Sequence, residues 1–469
     1  WLFYASTEMN PRNPIWRDVP ALNSYIARVQ AVLQEGSPAN DVLLYWPIYD
    51  VWHSDQGLNI NMTVHHRDWF EKFPVAALAG KLWQNGWTFD FISDRQLAAC
   101  RPDGVNVKTA GGTRYRAIVV PATIHMPVAT AEKLAALAKA GVKVIYDSSL
   151  PADVPGLQNL DTRRAALKSA LSAAQPAPDV EAALRTTRSQ PEPMTPTHGL
   201  EFVRRSNATG RWYFITNRTS KPIDDFVELG VPAPGVLILD PLTGRSGAAA
   251  LRRQGRLSAV RLQLEPGASI ILRTLDRYAS GPRWQYTNAT GDPVSITSPW
   301  SVTFLAGGPQ LPPPYETKEL RPWSAQGPAY EVFGGTAVYK TNFEVPAAGN
   351  YLLDLGQVAQ SARVRLNGKD LGTVWCAPFR LTAEGVQLNN TLEIEVTSTA
   401  ANRIRDLDRR KVLWKNFYDI NFVNMDYKPF DASNWPLAPS GLQGPVQLTR
   451  LSAPAAAAPA RKAPARPAK

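Results

Sequence analysis

Residues 335–406 read GTAVYKTNFEVPAAGNYLLDLGQVAQSARVRLNGKDLGTVWCAPFRLTAEGVQLNNTLEIEVTSTAANRIRD. Over 351–355, 362–366 and 391–397 apolar residues alternate with polar ones, the period-two pattern of strands that bury one face. Asn367 and Gly368 separate the runs 362–366 and 370–375. A two-residue type I′ hairpin needs positive φ at both central positions, and Asn-Gly tolerates it best. The stretch is therefore antiparallel sandwich sequence.

Outward from this stretch, 469 residues provide for three or four domains at ~100–200 residues each. Hydrophobic residues at 44% and charged ones at 19% place the chain among globular proteins rather than disordered ones. The net charge of +11 is scattered, and Arg461, Lys462, Arg466 and Lys469 sit in the closing Ala/Pro/Lys tail (451–469), which reads as disordered. No nucleic-acid-binding motif accompanies the charge, so a nucleic-acid partner is not expected. No apolar run reaches the ~20 residues of a bilayer span, so no membrane partner is expected either. Cys100 and Cys376 are the only cysteines, which excludes a disulfide framework.

In chain order, Asn10-Pro11-Arg12-Asn13-Pro14 is too proline-rich for a helix interior. A helix is expected over 20–35, with Asp18 as its cap, Gly36 as its end, and Leu22, Tyr25, Ile26, Val29 and Leu33 on one apolar face. From Asp41 the pattern changes to strands over 42–46, 87–92, 117–121 and 142–147, with helices near 73–85 and 130–140. Such alternation predicts a parallel sheet, its strands buried on both faces. Residues 161–175 and 179–188 read as short connector helices leading into a Pro-rich linker that ends at 199, and 200–280 as a small all-β sandwich.

The runs ARVRLNGKDLGTVWCAPFRL (362–381), NNTLEIEVTST (389–399), NRIRDL (402–407) and SGLQGPVQL (440–448) resemble the galactose-binding-like jelly roll of large glycoside hydrolases. With Trp375-Cys376, WLFYASTEMNPRNPIW (1–16) and LNSYIARVQAVLQEGSPANDVLLYWPIYDVW (22–52), the resemblance narrows to the C-terminal half of the α-L-rhamnosidases of glycoside hydrolase family 106, over about residues 1–450. It implies a multidomain α/β plus all-β chain. The end of a (β/α)8 catalytic barrel (1–40) is followed by an amidotransferase-like parallel α/β domain (41–160) and a helical connector with a Pro-rich linker (161–199). The small β-sandwich (200–280) and the jelly roll (284–450) complete it. The chain then reads as the back portion of a longer, exported protein, periplasmic or secreted, that removes terminal L-rhamnose from a glycoside or polysaccharide with inversion. The alternative is a non-catalytic accessory protein that binds carbohydrate through its β domains.

Inverting glycoside hydrolysis needs an acid and a base, both carboxylates, ~6.5–9.5 Å apart. The resemblance places both upstream of Trp1, so the catalytic residues are not assigned here. Within the chain, Glu8, Asn10, Arg12, Asn13 and Trp16 are expected to line the substrate pocket, Trp16 stacking on a sugar face. The alternative is a loop in which Asn10 and Asn13 bond backbone around the prolines. A second candidate group, Asp50, Trp52 and His53, follows the first parallel strand, at the end where open α/β sheets place ligands; the alternative is a plain surface loop. Trp375, Arg380, Asn402 and Arg403 are candidate carbohydrate contacts in the jelly roll. The α/β region has no Gly-x-Gly-x-x-Gly and no cysteine at a strand-to-helix elbow, which argues against nucleotide binding and amidotransferase chemistry. His65-His66 lacks zinc-ligand spacing, and no metal is assigned; calcium is implied only for the full-length enzyme, by the resemblance.

Overall fold

The computed structural model describes residues 10–63, 66–187, 189–415, 423 and 428–452. By its packing the chain divides into two units, Trp1–Ala27 with Glu265–Ala268 and Gln285–Lys469, and Arg28–Leu264 with Ser269–Trp284. The division falls inside the helix Val19–Leu33.

In the second unit the apolar runs form the expected parallel sheet. Its strands are β1 (Val42–Tyr45), β2 (Phe89–Ile92), β3 (Ala117–Val120), β4 (Lys143–Asp147) and β5 (Pro176–Ala177), in the spatial order β2-β1-β3-β4-β5. All their pairings are parallel. β1 and β3 are wholly buried, as continuous apolar runs must be when both faces are covered. β2 is only partly so: Phe91 stands 45% exposed on this edge strand, which corrects the reading of 87–92 as a strand buried on both faces. One face packs under Ala131, Leu134, Leu137, Leu167 and Leu171, the other under Val75, Leu78, Leu82, Val180 and Leu184.

The expected connector is corrected. Leu160–Ala170 and Val180–Arg185 are helices of the α/β layers, β5 joins the sheet between them, and the proline-rich segment is no linker. Ser189, Glu192 and Met194 are 1%, 0% and 0% exposed. Glu192 accepts from Arg204 Nη1 (2.5 Å), Tyr213 Oη (2.9 Å) and the Gly230 amide (2.6 Å). A buried carboxylate needs such a full set of donors.

The sandwich expected over 200–280 has a six-stranded sheet, which Ser37–Pro38 joins through Glu201–Asn207, and a three-stranded sheet built on Ile223–Leu229, Leu251–Gln254 and Leu257–Leu264. Arg205 donates to the Glu35 and Gly36 carbonyls, and Arg28 to that of Pro241.

The first unit carries a six-stranded and a four-stranded antiparallel sheet around a core that includes Trp300, Trp323, Phe333, Tyr339 and Ile394. Ser361–Leu366 and Lys369–Val374 form the expected hairpin, with φ of 51° at Asn367 and 79° at Gly368.

The entry segment is corrected too. A 3-10 turn, Pro14–Asp18, precedes the helix, and Asn13 caps it by accepting from the Ile15 amide. Asp18 is not the helix cap. Its carboxylate, 4% exposed, accepts from Ser361 Oγ (2.6 Å) and Arg363 Nε (2.5 Å), while Arg17 pairs with Glu395 (2.5 Å). The described residues of the expected 1–40 barrel segment therefore do not stand apart: those to Ala27 belong with the C-terminal sheets and those from Arg28 with the α/β and sandwich unit. Leu22, Tyr25, Val29 and Leu33 are half-buried, and Ile26 is 39% exposed.

Candidate functional site

Because β2 lies on one side of β1 and β3 on the other, the strand order reverses between β1 and β3. At such a switch point successive crossovers leave a crevice at the carboxyl ends of the strands, where ligands bind in open α/β sheets. After β1, Trp46-Pro47 turns the chain into the short helix Ile48–Trp52, with Asp50 in its first turn. After β3, Pro121 ends the strand and the chain runs on through Thr123, Ile124 and His125.

Asp50 joins the two crossings. Its Oδ2 accepts from Thr123 Oγ1 (2.5 Å) and the Ile124 amide (2.9 Å), and its Oδ1 from the His125 amide and Nδ1, both at 2.8 Å. A proton on Nδ1 of His125 meets the Asp50 carboxylate, and in that neutral tautomer Nε2 is the acceptor. The rings of His125 and His53 are 4.0 Å apart between centroids, tilted by 42°. His125 is 8% exposed, whereas His53 is open to solvent. Trp52, 43% exposed, meets Tyr49 edge-on at 5.5 Å. Asp94, after β2, accepts on Oδ1 from both Tyr45 Oη (2.8 Å) and Thr130 Oγ1 (2.6 Å). Burial, reinforced by Asp94, pushes the Tyr45 hydroxyl far above its ordinary range, and the same two causes raise Tyr49.

The loop after β1 thus carries an exposed indole, Trp52, and an exposed imidazole, His53, whose ring lies against His125; such groups can stack on an apolar ring face and hydrogen-bond a hydroxyl. The arrangement is not a glycosidase acid/base pair. Asp50 spends both carboxylate oxygens on protein donors, and Asp94 takes two donors on Oδ1 alone. Nor is it a thiol site, since Cys100 is 0% exposed just past the helix Asp94–Ala98.

Asp50, Trp52 and His53 share the short helix after β1 and its C-cap, and Asp50 brings in Thr123 and His125 as partners that the sequence reading missed. The strand-end rule that singled out Asp50 would have found them if applied to 117–121. Glu8 and His65 lie outside the described residues. Asn10 accepts from the Arg12 amide and Asn13 caps the 3-10 turn, the backbone-bonding roles of the alternative reading; Arg12 is exposed and Trp16 is 40% exposed.

The four candidate carbohydrate contacts of the first unit lie in different local settings. Trp375 meets Tyr25 edge-on at 5.3 Å, and Arg380 is held by Asp354 (2.7 Å) and Glu265 (3.0 Å). Asn402, 3% exposed, bonds the Ala438 carbonyl and amide, and Arg403 follows it in the helix Ala401–Arg409. Arg380 and Asn402 thus each bond other parts of the fold.

Calcium prefers several oxygen ligands with lone pairs directed inward. Among the described residues no three His, Cys, Asp or Glu side chains gather, and the oxygens of Asp50 face N–H and O–H donors. These residues do not fit a calcium cage.

A family model described as α-L-rhamnosidase, glycoside hydrolase family 106, matches residues 3–251. Among solved structures, a rhamnosidase from Novosphingobium sp. PP1Y superposes with a TM-score of 0.66 at 23% identity, over 94% of this chain and 42% of that one. A curated protein of Formosa agariphila, provisionally named a β-glucuronidase, is 33% identical over 184 residues, 34% of this chain and 16% of its own length. The chain thus spans less than half the length of either.

Proposed function

The chain belongs to the α-L-rhamnosidase family of glycoside hydrolases, family 106, and from that premise we propose that it is the C-terminal part of an inverting enzyme that removes terminal L-rhamnose from a glycoside or polysaccharide. The match across residues 3–251 carries this reading. It spans the entry segment, the parallel sheet and most of the sandwich.

In this reading the acid and base stand in a barrel outside these 469 residues, as does any calcium the enzyme uses, and the protein is exported to the periplasm or secreted. The 10–40 segment is the closing stretch of that barrel, and the first unit's two sheets are the galactose-binding-like jelly roll. The switch-point crevice, with Trp52 and His53 exposed, contributes a sugar contact rather than a proton-transfer group. It is supported by the placement of Asp50, whose four donors fix the ring of His125.

The test joins this chain to a complete family barrel and follows hydrolysis of an aryl α-L-rhamnoside by proton NMR. The first-formed sugar should be the β anomer. Release of the α anomer would overturn inversion, and no hydrolysis of α-L-rhamnosides alongside hydrolysis of another glycoside would overturn the substrate.

A further inference from the structure

At the opposite end of the parallel sheet, where the chain enters β1 and β3, a cavity of about 310 Å³ is lined by Asn40, Asp41, Asn106, Arg114, Arg116 and Arg211 among others. Asp41 immediately precedes β1 and Arg116 immediately precedes β3, whereas Asp50 and Thr123 follow those strands. Four residues of strand, about 13 Å at ~3.3 Å per residue, separate the cavity from the crevice.

Its charges do not balance. Asp41 is engaged by the buried guanidinium of Arg204 (2.8 Å). Arg114 pairs with Asp103. Arg211 lies 4.0 Å from Glu192, whose oxygens already serve Arg204, Tyr213 and Gly230. Arg116 donates to the uncharged Asn106 Oδ1 (3.2 Å) and, among the described residues, has no carboxylate partner. A half-buried guanidinium facing a concave polar surface favours an anion, and its planar fork suits the two oxygens of a carboxylate. Asp41 in the lining disfavours a phosphate dianion by like-charge repulsion. The volume lies at the small end for ligand pockets, ~300–1,000 Å³, room for about one sugar residue.

We propose that this cavity binds the carboxylate of an acidic sugar, a hexuronate unit of the glycan, through Arg116 and Arg211. The sugar half rests on the proposed glycosidase reading; the carboxylate half does not.

The test titrates the 469-residue chain with D-glucuronate, methyl D-glucoside, acetate and inorganic phosphate, following binding by calorimetry and ligand-observed NMR. D-Glucuronate should bind in the ~mM range, more tightly than the other three, and both Arg116→Gln and Arg211→Gln should weaken it about tenfold or more, a loss of ~1.4 kcal/mol. If Arg116→Gln folds poorly, Arg211→Gln decides, because that side chain is 30% exposed. Absence of glucuronate binding, indifference to Arg211→Gln, or equal binding of the neutral glucoside overturns the proposal. Acetate binding as tight as glucuronate removes its sugar half, and tighter phosphate binding removes its carboxylate half. Because the readout involves no turnover, failure of the rhamnosidase reading leaves its result distinguishable.

Discussion

Asp50 and His125, 75 residues apart in sequence, meet at 2.8 Å through Oδ1 and Nδ1, and Asp50 also takes the Ile124 and His125 amides. The carboxylate thus staples the loop after β3 to the helix after β1. Each buried donor left unpaired costs ~1–3 kcal/mol. Asp50→Ala should therefore lower stability by about 2–4 kcal/mol and speed amide exchange at 123–125, while His53→Ala, at an exposed ring, should cost under ~0.5 kcal/mol. Equal effects from the two changes would remove the staple from the account.

Asp18 makes a comparable claim in the first unit. With its carboxylate 4% exposed and bonded to Ser361 and Arg363, removing it strands donors beside the sheet. Breaking a buried pair costs ~3–5 kcal/mol; Arg363, 31% exposed, reduces the figure here to about 2–3 kcal/mol by solvent screening. Asp18→Ala, and deletion of residues 1–36 still more, should lower the melting temperature of the C-terminal sheets. An unchanged transition would show the entry segment to be dispensable.

Glu192 and Arg204 form a fully buried pair, 0% and 3% exposed. Burial opposes the Arg204 charge, but Glu192, Tyr213 and Asp41 outweigh it and hold the guanidinium above its ordinary value. Glu192→Ala should destabilise the second unit by ~3–5 kcal/mol and leave little soluble protein. Near-normal expression and melting would contradict the role given to this pair.

Alkaline pH should unfold the second unit cooperatively. Burial raises Tyr146 from 10.0 to about 12, and burial is also the first cause of the rise at Tyr45, Tyr115 and Tyr213. Because the folded state holds these hydroxyls protonated, their contribution is complete below pH 10 and is lost as pH rises through the folded values. At ~1.4 kcal/mol per unit, Tyr146 alone accounts for about 3 kcal/mol. Tyrosinate absorbance followed against pH should show these residues ionising only with unfolding; gradual ionisation near pH 10 without loss of structure would overturn the prediction.

What the sequence revealed follows from what carries a local signal. Runs such as Val42–Tyr45 and Ala117–Val120 are strands in isolation, and Asn367-Gly368 dictates its turn by φ alone. β5 is two residues beginning with proline, recruited only by the sheet beside it, and Glu192 hides among prolines because its donors come from distant strands. Asp18 has a cap's residue type in a cap's position, yet its partners lie 343 and 345 residues away, beyond any periodicity. At the crevice, Asp50 was legible from its strand end, whereas His125 becomes significant only once β1 and β3 are neighbours.

The proposed function places the acid/base pair outside this chain. The most direct measurement is release of nitrophenol from p-nitrophenyl α-L-rhamnoside by the purified 469-residue protein, beside the same protein carrying Glu8→Gln or Asp50→Asn. No turnover above the buffer rate is predicted for any of the three; turnover by the unmodified chain that either substitution abolishes would place the catalytic carboxylates within it and contradict the account.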